Sequence, residues 1–333
     1  MKALVLDGVG QPLQLREVPT PQPQPGEVLV RLDAAALNHR DVWIQQGQYA
    51  GLRFPIILGS DGAGTVVELG EGIDESLRDQ AVIIDPGQNW GDNPRAQARS
   101  FSILGLPQDG TFAEYVAVPA TNVYPRPAHL SAEQAAALPL GGVTAYRALF
   151  TRGRLRAGER VLITGIGGGV ALLALQLAVA RGAAVWVTSG SPDKIERAQA
   201  LGARGGISYR QPGWGKALMQ QAGGQFDLIV DSAAGPGVAE LLEAAAPGGR
   251  IVFYGGTTGT MTNVPPRHIF WKQLDVLGST MGTAEDFAGL LDLVNAARLV
   301  PVTDQVFDLA EGEQAMRLMA EGQQFGKIVL RIN

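Results

Sequence analysis

The chain contains no cysteine. That absence excludes disulfides, thiolate nucleophiles and thiolate metal ligands together. Histidine is almost as scarce. Only His39, His129 and His268 occur, scattered along the chain, and each reads as a surface or core residue before it reads as a ligand. Positive charge is not in surplus either. The formal net charge is -5, so no global positive field recruits phosphate backbones and nucleic-acid binding is not expected. A local cluster of Arg147, Arg152, Arg154 and Arg156 alternates with apolar residues ahead of a strand and reads as a solvated connector. Long apolar runs are missing too. The longest, Val170 to Ala180, is interrupted by Gln176 and is too short to span a bilayer. The opening residues, Met1-Lys2-Ala3-Leu4-Val5, lack the features of a signal peptide. No membrane partner and a cytoplasmic location are therefore expected.

What is present is the composition of an ordered globular protein. Apolar residues make up 46% and charged residues 18% of 333 positions, enough for sizeable cores in two domains. Residues 1 to about 120 read as β-rich, with short alternating runs such as Glu27 to Leu32 and Gly64 to Leu69 between Gly and Pro turns. Pro86 to Gly105 reads as an excursion from that sheet. Near Ser131 the rhythm changes, because Ser131-Ala132-Glu133-Gln134 has the form of a capping box opening an alanine-rich helix. From Glu159 strands and helices alternate: a strand at Val161 to Thr164, a helix at Val170 to Ala180 and a strand at Val185 to Thr188. A helix at Pro192 to Leu201, a strand at Ile207 and a helix near Lys216 follow. The series ends with strands at Phe226 to Val230 and Arg250 to Tyr254 on either side of a helix at Val238 to Ala246. Such alternation with nearly continuous apolar strands indicates a parallel sheet covered on both faces, which binds ligands at the carboxyl ends of its strands. The tail, a helix at Thr283 to Leu299 and a strand at Lys327 to Ile332, has no place in that sheet and is expected to return to the first domain.

One motif carries chemistry. Val161 to Ala171 reads VLITGIGGGVA, placing Gly165, Gly167, Gly168 and Gly169 between a strand and a helix that begins near Val170. Glycines there let the backbone turn tightly and approach a pyrophosphate, to which the helix N-terminus offers N–H groups and positive dipole. A plain turn also uses glycine, but the strand-turn-helix context within an α/β series favours dinucleotide binding. An NAD site usually carries an acid at the end of the next strand, for the ribose 2′-hydroxyl. Here that end reads Ser189-Gly190-Ser191, with Lys194 just beyond. Ser191 can serve as a helix N-cap and still meet a 2′-phosphate, while Asp193 in the first helical turn weighs the other way. The balance favours NADP(H) over NAD.

The residues together resemble the medium-chain dehydrogenase/reductase superfamily, and within it the zinc-free quinone-oxidoreductase-like branch. The resemblance rests on Ala36 to Asp41, Leu58 to Val66, Ala137 to Pro139, Gly142 to Tyr146, the glycine motif, and Phe325 to Val329. It implies an α/β protein with a GroES-like β-rich catalytic domain over residues 1–122. A Rossmann doubly wound parallel-sheet domain would follow over 123–282, and a C-terminal segment, 283–333, would return to the first domain. Zinc-dependent members carry Cys-His where this chain has Asn38-His39, and Gly-His-Glu where it has Gly59-Ser60-Asp61. The resemblance therefore implies no metal. In the zinc-free branch Asn38, Asp41, Trp43 and Tyr49 would line the nicotinamide end of the site, with Asn38 and Tyr49 as hydrogen-bond or proton donors. Asp41 can equally cap a local turn and Trp43 can equally be core. Thr144 would contact the nicotinamide or its phosphates, and Ser191, Lys194 and Tyr209 would surround the 2′-phosphate. Gly255, Gly256 and Met281 would pass beside the nicotinamide. The implied activity is hydride transfer to a small-molecule quinone, α,β-unsaturated carbonyl or aldehyde. An alcohol dehydrogenase running oxidatively and a dinucleotide-binding sensor without turnover remain as alternatives. The branch also implies a homodimer through an edge strand at Asp275 to Thr280.

Overall fold

A computed structural model describes residues 1–262 and 264–332. The chain opens on β1 (Lys2–Leu6), β2 (Gln14–Glu17), β3 (Glu27–Ala36) and the short helix α1 (His39–Gln45). Strands β4 (Ile56–Ile57), β5 (Asp61–Leu69), β6 (Ala81–Ile84), β7 (Gly87–Gln88), β8 (Ser102–Ile103), β9 (Tyr115–Pro119) and β10 (Val123–Pro125) precede helices α2 (Ala132–Ala136) and α3 (Pro139–Tyr146). Then β11 (Arg160–Ile163), α4 (Gly169–Ala180), β12 (Ala184–Ser189), α5 (Pro192–Ala200), β13 (Gly205–Ser208) and α6 (Trp214–Ala222) alternate. The series continues through β14 (Phe226–Asp231), α7 (Val238–Ala244), β15 (Ala245–Phe253), α8 (Pro266–Lys272) and β16 (Asp275–Gly278). It closes on α9 (Ala284–Ala297), β17 (Thr303–Asp308), α10 (Gly312–Glu321) and β18 (Lys327–Arg331).

These elements divide into two compact units. The first takes residues 1–141, 283–291 and the tail from Val300. Its main sheet has the order β10-β6-β5-β3-β18-β17, with β9 also paired to β3. Strand β3 is central, so both of its faces are covered and its alternation dissolves into a buried run at Ala34, Ala35 and Ala36. The tail strand β18 pairs antiparallel with β3, setting Val329 against Ala36. Residues 123–141 lie in this unit and not in the second, where the sequence places them. The physical reason is pairing: β10 adds an edge to β6, and the Leu140 N–H donates to the Asp61 carboxylate at 2.7 Å. The excursion at 86–105 folds around the two-stranded β7–β8 pair.

The second unit takes residues 142–282 and 292–299. Its six strands are parallel throughout, in the order β13-β12-β11-β14-β15-β16. The chain runs outward from β11 to β13 and then returns to β14, so the strand order reverses between β11 and β14. In doubly wound sheets that switch point opens the ligand crevice at the carboxyl ends of the strands. Helix α4 is apolar almost all round, with Ala171 to Leu175, Leu177 and Ala178 buried. Two expectations fail here. Arg147 is no solvated connector: only 2% exposed, it sits in a π-helical stretch, Arg147–Arg152, that continues α3. Strand β15 starts at Ala245 and not at Arg250, because the pairing with β14 resumes after a register shift between Phe226 and Leu228.

Strand β5 delivers Ser60 and Asp61 to the site and depends on a close approach. Gly64 faces Leu32 next to a register shift in the β3–β5 pairing. A Cβ on Gly64 would lie 2.0 Å from the Arg31 carbonyl oxygen, which is backbone and cannot swing aside. Gly64→Ala should therefore destabilise the protein by about 1–3 kcal/mol. Denaturant unfolding checks this, and an unchanged midpoint with unchanged slope would contradict it.

Candidate active site

In the first unit, three adjacent strands bring their ends together around Asn38. Strand β3 runs into Asn38, β5 begins at Asp61, and β18 begins at Lys327, in the sheet order β5-β3-β18. All three side chains are buried, at 7%, 0% and 3% exposure. The Lys327 ammonium donates to Asn38 Oδ1 at 2.7 Å and to Asp61 Oδ2 at 2.8 Å. The Asn38 Nδ2 group donates to the same Asp61 oxygen at 2.9 Å. Asp61 Oδ1 takes the Leu140 N–H, and Thr111 Oγ1 donates to the Asp61 carbonyl at 2.8 Å.

Asn38 is also the N-cap of α1. The Asp41 carboxylate reaches back to accept the Asn38 backbone N–H at 2.8 Å, closing a capping box. Of the two uses open to Asp41, capping is thus filled, by Oδ2, while its Oδ1 is buried without a partner. Beside it, Arg40 is 5% exposed, and its Nη1 donates to Ser60 Oγ at 2.6 Å and to the Leu104 carbonyl at 2.9 Å. The guanidinium also lies over the Tyr49 ring, 5.2 Å from its centroid. Tyr49 is half-buried, and Trp43, half-buried as well, stands 6.1 Å from the exposed His39 ring.

This arrangement does not fit a zinc ion. The side chains standing where the resemblance places the catalytic Cys and His are Asn38 and Ser60, and both are bonded to fixed cations, Lys327 and Arg40. Among the described residues no group of three His, Asp or Glu side chains is placed to hold a metal.

In the second unit, the turn after β11 is built for close approach. Gly165 and Gly167 take φ of 66° and 122°, and Gly168 caps α4. The Ile166 N–H donates to the Thr188 carbonyl, which ties the turn to β12. A Cβ on Gly168 would meet nothing within 4 Å, so the space before the α4 N-terminus is open, while Gly169 and Val170 form its first turn. These residues fit the pyrophosphate of a dinucleotide. Asp231, at the end of β14, braces the neighbouring loop. It accepts Thr164 Oγ1 at 2.5 Å and the N–H groups of Ala233 and Ala234 at 3.0 and 2.6 Å.

At the end of β12 no carboxylate appears. Ser189 donates to the Ile166 carbonyl and accepts the Ser191 N–H. Ser191 is the N-cap of α5 with Pro192 following, but its hydroxyl makes no cap bond. The Lys194 side chain lies over the glycine turn, its Nζ 3.4 Å from where a Gly167 Cβ would be. A Cβ on Gly190 would come within 2.7 Å of the Tyr209 hydroxyl and 3.0 Å of Arg210 Nε. The structure therefore gathers Gly190, Tyr209 and Arg210 at the ends of β12 and β13. Sequence reasoning missed Arg210; the signal was its place directly after Tyr209 at the end of the next parallel strand. Elsewhere in this unit Thr144 Oγ1 contacts Met281 Sδ at 3.9 Å, with Met281 held at φ 43°. Gly255 and Gly256 follow β15, and a Cβ on Gly256 would meet nothing within 4 Å.

Comparison with known proteins identifies the family. The family description "Alcohol dehydrogenase GroES-like domain" matches residues 24–128, and "Zinc-binding dehydrogenase" matches residues 169–296. The chain belongs to the medium-chain dehydrogenase/reductase superfamily. It is 36% identical to a zinc-type alcohol dehydrogenase-like protein YogA of Leptosphaeria maculans, over 96% of this chain and 95% of that protein. It is 30% identical to an acryloyl-coenzyme A reductase of Metallosphaera sedula, over 99% of each. A solved structure of an NAD-dependent alcohol dehydrogenase is 38% identical, with a TM-score of 0.94 and full coverage of both chains. An oxidoreductase with a GroES-like domain and a Rossmann-like parallel-sheet domain follows. No helix among the described residues is long and apolar enough to cross a membrane.

Burial lifts the Asp41 carboxyl from 3.8 to about 6, against the opposing pull of Arg40, the Asn38 N–H and Lys327. The folded state therefore holds this proton more tightly than the unfolded chain does. Stability contributed by the protonated form is present in full below about pH 4 and is lost as pH rises through 6. The whole shift corresponds to about 3 kcal/mol. Asp41→Asn keeps an acceptor for the Asn38 N–H and removes the titration. The variant should match the parent near pH 4 and exceed it in stability near pH 7. Unfolding midpoints between pH 4 and 8 check this, and parallel profiles would sink it.

Proposed function

We propose that the protein is a zinc-independent, NADP(H)-dependent oxidoreductase that passes hydride to a quinone, an α,β-unsaturated carbonyl or an aldehyde. The observation that carries this reading is the set of donors around Asn38. Lys327 and Arg40 engage the side chains standing where zinc relatives place ligands, so polarising a carbonyl falls to hydrogen bonds. When bound, the reduced nicotinamide supplies the hydride. As hydride adds to the substrate carbon, the carbonyl electron pair moves onto oxygen. Asn38 Nδ2 donates to that oxygen, and the Tyr49 hydroxyl passes it a proton and is reprotonated from solvent. Asp41 holds the Asn38 backbone from below. Among relatives, the reductase of Metallosphaera sedula is named for acryloyl-coenzyme A, a conjugated carbonyl compound.

For the cofactor, Gly165, Gly167, Gly168, Gly169 and Val170 would take the pyrophosphate. Ser189, Ser191, Lys194, Tyr209 and Arg210 would take the 2′-phosphate, and Thr144, Gly255, Gly256 and Met281 would line the nicotinamide. The second reading is NAD-linked alcohol oxidation. It is favoured by the 38% identical structure named for NAD and by Asp193 in the first turn of α5. Oxidation of NADPH and of NADH, measured with a chelator present against quinones, enones and aldehydes in parallel, separates these readings. It also separates both from a binding protein without turnover. Lys194→Ala or Arg210→Ala should raise KM for NADPH about tenfold to hundredfold, through loss of a charge-assisted contact, and leave NADH within about twofold. Equal losses for both cofactors, or a parent that prefers NADH, would overturn the NADP assignment.

A homodimer through β16 belongs to the same reading. Strand β16 ends the sheet order, and its Val276 is 45% exposed. An open edge of this kind is satisfied by a two-fold copy of itself. Phe253 is in register with Gly278, and the Ser279 N–H donates to the Phe253 carbonyl. By alternation the Leu277 N–H therefore faces β15 and the Val276 N–H faces the open edge. Proline belongs at Val276 as the test, since at Leu277 it would break the internal ladder. Light scattering should give a dimer for the parent and a weakened one for Val276→Pro; a parent monomer at micromolar concentration ends the idea.

A further inference from the structure

The Asn38 amide has two faces, and its neighbours differ in what they can accept. Lys327 Nζ is an ammonium, which only donates. It stands 2.7 Å from the atom assigned as Oδ1. Asp61 Oδ2 is a carboxylate oxygen, which only accepts when ionised, and it stands 2.9 Å from the atom assigned as Nδ2. The reverse assignment would press an NH2 group against an ammonium and a carbonyl oxygen against a carboxylate. The polarity of this amide is therefore fixed by chemistry, where isolated amides are usually free to turn over. Its backbone is fixed as well, by the Asp41 capping bond at 2.8 Å. Asp61 is itself anchored through Oδ1 to the Leu140 N–H. Of the two Nδ2 hydrogens, Asp61 takes one, and none of the described residues accepts the second.

We infer that Lys327 and Asp61 are positioning residues that lock the Asn38 amide so that one N–H points permanently at the substrate oxygen. The inference rests on the proposed donor role of Asn38. Neither residue touches the substrate; both act through the orientation of the amide. A preset donor needs no reorganisation when charge develops on oxygen, and this is the condition under which such a donor is worth most. The ion pair also keeps the amide from turning its carbonyl toward that oxygen, where it would repel the developing charge.

The test uses the full-length protein with two readouts. Lys327→Met leaves the Asp61 charge buried and uncompensated, which threatens folding, so the neutralised pair Lys327→Met/Asp61→Asn is made alongside it. In steady-state reduction the neutralised pair should lose about tenfold to a thousandfold in kcat. KM for the nicotinamide cofactor should stay within about twofold. In an Asn38→Ala background the same pair should cost less than about threefold, because residues acting through one group are not additive. Multiplicative losses, or a neutralised pair that retains parental kcat, would overturn the inference. The second readout needs no turnover. With asparagine labelled by 15N and the Asn38 signal assigned by its loss in Asn38→Ala, the parent should show two inequivalent, exchange-protected amide protons. In the neutralised pair that protection should fall at least tenfold. An amide equally protected in both proteins overturns the lock even if no substrate has been found. A parent that shows the lock but consumes no reduced cofactor with any substrate would instead fail the functional reading alone.

Discussion

The buried contact between Lys327 and Asp61 is the constraint from which the first unit is organised. Two charges at 4% and 0% side-chain exposure are expensive to remove from water. The pair is tolerable because both Asp61 oxygens and the Lys327 ammonium find further partners in Asn38 and the Leu140 N–H. Its partners stand 266 residues apart in sequence, so the contact exists only if the tail strand enters the sheet beside β3. Deleting one partner would leave an uncompensated buried charge, a loss of about 3–5 kcal/mol. The strand order β5-β3-β18 and the polar cluster at its end are thus two descriptions of one requirement.

The second unit solves a related problem with a single carboxylate. Asp231 ends β14 and collects one hydroxyl and two backbone N–H groups. Its pKa is raised by burial, against the lowering effect of those three bonds. The loop it holds includes Ala234, a residue with a side chain at φ 54° and ψ -129°. Backbone of that kind costs on the order of 1–3 kcal/mol and persists where the surroundings determine it. Here the surroundings are named bonds to one side chain, next to the point where the strand order reverses. Both units therefore place a buried aspartate at a strand end, the first to fix side chains and the start of α3, the second to hold irregular backbone.

How much of this was legible in the sequence depends on how local each signal was. The turn from Gly165 to Gly169 was legible because strand, turn and helix are contiguous and glycine is needed at positive φ. The capping box at Ser131 was legible for the same reason, and its reciprocal bonds with Gln134 are present. Arg147 was misread because charge alone suggested solvent, while burial is decided by the π-helical stretch that continues α3. The start of β15 was hidden by Pro247, Gly248 and Gly249, which read as a turn yet lie inside a strand with a shifted register. Lys327 was read only as part of a motif, and Arg210 not at all. Each has its neighbours on another strand, and no pattern of spacing reports a partner that folding brings from far along the chain.

The substitutions in the first unit form a consistent electrostatic set. A divalent ion asks its shell for anionic or neutral donors and carries its own charge into the site. Here the charge is carried by the chain: Lys327 against Asn38 and Asp61, and Arg40 against Ser60 and the Leu104 carbonyl. These cations cannot leave, exchange or be chelated, and their partners are spoken for. A single change, such as histidine at Ser60, would therefore not recreate a metal centre, since Lys327 and Arg40 would remain as repelling neighbours. On the proposed reading Lys327, its charge offset by Asp61, acts on Asn38 through geometry and not through net potential. The ion pair then fixes the amide, and the amide supplies the hydrogen bond.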